Sequence, residues 1–145
     1  MAKVFLGGTA NGSQWRERLI PFLQMEFFNP VVPEWNEDAF RREIREREEA
    51  DYCLYVITPK MEGVYSIAEV VDDSNKRSRK TILCVLEEDE EAAFTPHQLR
   101  SLKRTGEMVV KNGGYYCESL DDVRAYLIRR EEEARLAEEA EKEQE

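Results

Sequence analysis

Two glutamates stand where carboxylate chemistry is possible: Glu69, in the run Ser66-Ile67-Ala68-Glu69, and Glu43, in a helical stretch ahead of it. A carboxylate one turn inside a helix that opens on a ligand crevice can attack a sugar C1′ and hold it as a glycosyl ester, as in retaining glycosidases. The same four residues also form an S-x-x-E capping box, with Ser66 as N-cap and Glu69 at N3. Pattern alone leaves both open. Glu43 follows Phe40 by three positions and precedes Ile44, so the helical period turns it toward the apolar face. An acid held against a core edge has its charged form disfavoured, which raises its pKa and suits it to proton transfer. Equally, Glu43 and Arg47 have the i,i+4 spacing of a surface ion pair.

A third feature is the loop GGTANGS at residues 7–13. Gly7 and Gly8 permit close backbone approach to a ligand, and Thr9, Asn11 and Ser13 offer side-chain hydrogen bonds. A tight turn followed by an N-cap explains the same residues. The loop has neither Walker lysine spacing nor GxGxxG, so ATP and dinucleotide readings gain no support. Asp72 and Asp73 have no His or Cys neighbours and read as a solvated helix face, so no metal is expected. Trp15 and Trp35 read first as core or rim residues. The single histidine, His97, lies in a polar stretch and is rejected as a catalyst. Asp51 opens a strand at its amino end and is discounted.

The elements that must position these groups follow from periodicity. Strands are expected at 3–7 (KVFLG), 27–32 (FFNPVV), 52–58 (YCLYVIT), 81–86 (TILCVL) and 115–117, each short and apolar. Helices are expected from Asn11 or Ser13, Asn36, Ser66, Pro96 and Ser119, the first to be kinked or split by Pro21. Pro30 suits only an edge strand or a strand end. The acidic run 87–91 reads as a solvated loop. Strict βα alternation implies a parallel sheet with right-handed crossovers and helices on both faces. Five strands favour the flavodoxin-like order 2-1-3-4-5, whose crevice opens between the first and third strands at their carboxyl ends. Its walls would be residues 7–13 and 58–66. Beyond Arg130 the sequence EEEARLAEEAEKEQE can form a helix but has almost no apolar stripe. The domain is therefore expected over 1–130, with 131–145 an acidic helical tail in solvent.

Composition limits the partners. The chain has 145 residues, 41% of them hydrophobic, which suffices for one domain with one core. Its net charge of −10 argues against a nucleic acid polymer, whose phosphates need clustered Lys and Arg. It leaves room for a small anion at a helix N-terminus. No apolar run is long enough to cross a bilayer, and the N-terminus carries no export signal. Cys53, Cys84 and Cys117 sit among apolar residues without paired spacing and read as reduced, buried thiols. A cytoplasmic protein without membrane partners is expected.

Taken together, KVFLGGT followed by Trp15, then FNPVVPEW, then E43-I-R-E-R-E-E-A-D51, then S66-I-A-E69, resemble the nucleoside 2-deoxyribosyltransferase-like family over about 3–127. Asp51 follows Glu43 by eight residues and Glu69 follows Asp51 by eighteen, spacings that agree with that family. The resemblance implies that Glu69 is the nucleophile on C1′ and that Glu43 assists proton transfer and sugar positioning. It further implies that Asn112 reaches the site of a neighbouring subunit in a homodimer or larger assembly, and that no cofactor or metal takes part. The substrate-contacting set is expected to be Gly7, Gly8, Thr9, Ser13, Trp35 and Ser66. The approach to Glu69 departs from the family's Gly-rich form: Val64 and Tyr65 lead into Ser66, and Val70 follows Glu69. Three functions fit a small-molecule nucleoside or nucleotide partner. They are transfer of 2-deoxyribose between bases, hydrolysis of a nucleoside 5′-monophosphate, and non-catalytic nucleotide sensing. Phosphate held by Ser13, Ser66 and loop amides would favour the second, and a surface-exposed Glu43 the third.

Overall fold

A computed structural model describes residues 2–10 and 12–144 of the chain. Five strands form one parallel sheet: β1 (Lys3–Gly8), β2 (Glu26–Phe28), β3 (Tyr52–Ile57), β4 (Thr81–Val85) and β7 (Tyr115–Cys117), in the order β2-β1-β3-β4-β7. This is the expected flavodoxin-like order. The last sheet strand is the seventh in the chain because a small antiparallel hairpin, β5 (Glu88–Asp89) and β6 (Ala92–Ala93), intervenes.

Period-two alternation divides the central strands between two cores. Leu6, Leu54, Val56 and Ile82 face Trp15, Leu19, Val123 and Leu127 on one side. Phe5, Tyr55, Ile57 and Leu83 face Val70, Leu102 and Val109 on the other. The first side is covered by α1 (Trp15–Leu19) and α5 (Leu120–Glu143), the second by α3 (Tyr65–Lys76) and α4 (Pro96–Lys111). Fully burying each large aliphatic or aromatic side chain contributes roughly 1.5–3 kcal/mol. α2 (Glu37–Glu49), N-capped by Asn36 through Ala39 N–H, differs from the other helices. Its one buried residue is Arg47, so it meets α3 through charge.

Several local expectations change in detail. Pro21 does split the first helix: α1 ends at Leu19 and a 3-10 turn spans Ile20–Phe22. The second strand stops at Phe28, two residues short of Pro30, because a proline has no N–H for the ladder. α3 begins at Tyr65 with Val64 as N-cap and no side-chain cap bond. Ser66 therefore lies inside the helix and forms no capping box with Glu69. The side chain of Ser119 accepts Asp122 N–H as expected.

The acidic run 87–91 is the hairpin and not a free loop, with Glu90 at its turn in the left-handed region (φ 56°). The tail expected to fray stays helical as far as Glu143, although every described residue after Glu131 is exposed. Glu131 accepts the Tyr52 hydroxyl at 2.7 Å and is the last tail residue tied to the sheet. Removing residues 132–145 should therefore shift the melting temperature by less than about 3 °C, the change that 1 kcal/mol produces in a chain of this size. Loss of cooperative melting on that truncation would show that the tail is part of the folding unit.

Candidate functional site

The loops after β1 and β3 meet at the carboxyl edge of the sheet. Gly8 makes this possible: its φ is +115°, and a Cβ there would stand 2.1 Å from the Val56 carbonyl oxygen. Thr9 N–H then donates to that carbonyl at 2.9 Å, and Thr58 N–H donates to Thr9 Oγ1 at 3.0 Å. From beneath, Trp15 Nε1 and Arg16 Nη1 both donate to the Thr9 carbonyl at 2.8 Å. Arg16 also donates twice to the Leu6 carbonyl. Burial pulls the Arg16 pKa down to about 10, with the charges of Glu17 and Glu43 opposing the fall.

Between these loops lies a cleft of about 200 Å³, lined by Gly8, Thr9, Met61, Glu62, Tyr65 and Ser66 among others. A larger groove of about 370 Å³, between the 3-10 turn and α5, includes none of the candidate residues.

Glu69 lies one turn beyond Ser66 and is 5% exposed, with its carboxyl turned toward α2 and not lining the cleft itself. Arg47 Nη1 donates to Glu69 Oε2 at 3.1 Å, and Nη2 donates to Asp72 Oδ2 at 3.0 Å. Its Nε stands 3.2 Å from Asp73 Oδ1 without hydrogen-bond alignment. Asp73 in turn accepts from the Tyr55 hydroxyl and, at 2.8 Å, from Arg77 Nε. Half-buried Glu43, one helical turn before Arg47, comes within hydrogen-bonding reach of Glu69. Burial, then the charge of Glu43, push the Glu69 carboxyl up to about 7 against the pull of Arg47. Burial opposes the charge on Arg47, but Asp73, Tyr55 and Glu69 carry its pKa above the ordinary value.

Two sequence readings are corrected here. Asp72 and Asp73 are not a solvated face: Asp73 is 0% exposed and both hold Arg47. The Glu43–Arg47 spacing does not produce a surface pair, because Arg47 is buried against α3.

The other candidates separate. Gly8, Thr9 and Ser66 line the cleft. Gly7 is a packing residue, since a Cβ there would meet the Tyr55 ring at 2.7 Å. The Ser13 hydroxyl donates to Asp89 Oδ2 at 2.5 Å. Trp35 is 64% exposed and packs on Phe40, with ring centroids 5.3 Å apart. Asn112 donates to Ser74 Oγ and Asn75 Oδ1 at the C-terminal end of α3, the end away from the cleft. A direct role for it would have to be played in a second subunit. Asn11 lies outside the described residues.

Those described contain no group of three or more His, Cys, Asp or Glu arranged to hold a metal ion, and no helix long and apolar enough to cross a membrane. A family model for nucleoside 2-deoxyribosyltransferase-like proteins matches residues 1–88. The chain belongs to the nucleoside 2-deoxyribosyltransferase-like family. The matched segment holds both glutamates and the loops after β1 and β3, while Asn112 lies beyond it. No curated protein and no solved structure matches the chain.

Within this nucleoside 2-deoxyribosyltransferase-like frame, sequence reasoning missed Asp89. It is 1% exposed, accepts from Ser13, and pairs with Arg18 at 3.3 Å. Lys60, from the β3–α3 loop, pairs with Glu90 at 3.1 Å and reaches the Gly12 carbonyl at 3.4 Å. The hairpin therefore ties both cleft loops together. The one hint in the sequence is that Asp89 is the single short acid in a run of glutamates.

Burial works against the Asp89 charge, but hydrogen bonds from Ser13 and Thr58, then Arg18 and Lys60, hold its pKa below the ordinary range. A depressed pKa contributes stability above the unfolded value of about 3.9, which is lost as pH falls through the folded value. Asp89→Ala should cost about 1–3 kcal/mol by leaving buried donors unpaired, and should flatten the acid limb of the stability profile below about pH 4. Denaturant melts of parent and variant across pH check this. An unchanged acid limb would contradict it.

Proposed function

We propose that the protein breaks the N-glycosidic bond of a 2-deoxyribonucleoside with Glu69 as nucleophile and Glu43 as the proton carrier. The observation that carries this reading is the convergence of Glu43 and Glu69, from two helices, at the carboxyl edge of the sheet. Burial and the neighbouring charge of Glu43 raise the Glu69 carboxyl to about 7, so it reaches its nucleophilic, ionised form close to neutrality. Capping does not account for Glu69, because α3 starts at Tyr65 with no side-chain cap bond and Ser66 lies inside the helix.

A Glu69 oxygen forms a bond to C1′ while the C1′–N bond breaks. The bonding pair goes to the base nitrogen, and a proton carried by Glu43 passes to the base. An incoming base nitrogen or a water oxygen then bonds C1′, the ester C1′–O bond breaks back to Glu69, and the acceptor's proton goes to Glu43. Two displacements retain configuration. Retaining carboxylates typically stand about 5–5.5 Å apart.

A 5′-monophosphate substrate is less well supported. The Ser13 hydroxyl expected to grip phosphate is committed to Asp89, and the described cleft lining offers Glu62 but no Lys or Arg. A purely non-catalytic sensor is disfavoured by Glu43 being half-buried beside Glu69.

Glu69→Gln should lower turnover at least about 10⁴-fold, the order seen when a catalytic nucleophile is removed. Its melting temperature should stay within about 3 °C of the parent, since Gln still accepts from Arg47 and the like-charge contact is relieved. Because the nucleophile must be ionised and its carboxyl is raised to about 7, kcat/KM in the parent should fall as pH drops below that value. Chromatography of a deoxynucleoside panel, with and without a second free base, reads both. A fully active Glu69→Gln enzyme would remove the mechanism.

A further inference from the structure

We infer that Arg47 is the positioning residue for the Glu69 nucleophile, holding one carboxylate oxygen so that the other attacks, with Asp72 and Asp73 as its standing counter-ions. This inference rests on the reading of Glu69 given above.

Arg47 Nη1 bonds Glu69 Oε2 at 3.1 Å, and among the described residues Oε1 carries no ion pair. A guanidinium presents its donors in a rigid planar fork, so with two of them held by Asp72 and Asp73 the Nη1–H aimed at Glu69 Oε2 has a fixed direction. The fork is itself anchored, by Asp72 at 3.0 Å and Asp73 at 3.2 Å. Asp73 is pinned by Tyr55 and Arg77, and Asp72 is paired to Lys76 at 3.0 Å.

This arrangement matters most during the covalent intermediate. Once Glu69 is a neutral ester, a buried cation relying on it alone would be left uncompensated, at a cost of several kcal/mol. Asp72 and Asp73 stand against the same guanidinium, at 3.0 and 3.2 Å, so Arg47 keeps carboxylate partners when it releases Glu69 and takes it back. Among the described residues, the charged and titratable groups facing Glu69 are Glu43 and Arg47 from α2, Tyr55 from β3, and Asp72 and Asp73 from its own helix. Arg47 is the only cation among them.

The test compares pH profiles and kcat and KM for the parent, Arg47→Lys and Arg47→Gln, with melting temperatures and with Glu69→Gln in parallel. Loss of an opposite charge shifts a neighbouring carboxylate by about one unit or more, so Arg47→Gln should move the acid limb of kcat/KM upward by that much. Arg47→Lys keeps the charge but not the fork. Its acid limb should stay near the parent's, while kcat falls at least about tenfold from misorientation and KM changes far less. If Arg47→Gln does not fold, Arg47→Lys decides alone. A kcat within about twofold of the parent in Arg47→Lys, or an unmoved acid limb in folded Arg47→Gln, overturns the inference. If Glu69→Gln is inactive while both Arg47 variants behave like the parent, only this inference fails. An active Glu69→Gln enzyme defeats the nucleophile reading on which it depends.

Discussion

A guanidinium buried between two helices must be surrounded by carboxylates, because an unpaired charge in a protein interior costs far more than one helix contact returns. Arg47 meets that requirement by drawing Glu69, Asp72 and Asp73 from a single helix face of α3. The seating of α2 then follows, since this helix brings no other buried residue. The position of Glu43 follows as well. It lies one turn before Arg47 on the same helix, and fixing Arg47 delivers Glu43 to Glu69. The ion network that attaches α2 is therefore also what assembles the proposed acid and nucleophile. Either role alone would place weaker demands on geometry than both together.

A second constraint operates at the mouth of the cleft. Parallel strands deliver the β1 and β3 loops to the same edge, and Gly8 allows the backbones to touch. Loop backbone at such an edge needs hydrogen-bond partners wherever water is excluded. Trp15 and Arg16 serve the Thr9 carbonyl from below, and Asp89 serves Ser13 from above. The hairpin after β4 therefore has a role its acidic sequence does not suggest: it makes the two cleft loops one unit. For the proposed ligand, held between those loops, this rigidity is a form of preorganisation.

How much of this was legible in the sequence depends on the range of the interaction. The strands, their order and the crevice follow from apolar runs such as YCLYVIT and from the handedness of βα connections, both properties of local pattern. The division of the first helix at Pro21 is equally local. Glu43 and Glu69 could be nominated because helical period and the switch-point rule each act on one element at a time. What could not be read were the buried charges. Arg47 and Glu69 are 22 residues apart, Ser13 and Asp89 are 76 apart, and Arg47 and Asp89 each read as solvated until the partner is known. Asp73 looked like part of an exposed acidic face for the same reason. Ser66 misled in the opposite direction. Its S-x-x-E form matched a cap, but α3 starts one residue earlier and leaves the motif inside the helix.

The proposed mechanism turns on a covalent bond between Glu69 and the sugar. Peptide mass spectrometry of enzyme acid-quenched within the first turnover of a deoxynucleoside tests it most directly. One deoxyribosyl group on the peptide containing Glu69, absent from Glu69→Gln, is the predicted result. Continued turnover with Glu69 unmodified, or a sugar attached to a different side chain, would contradict it.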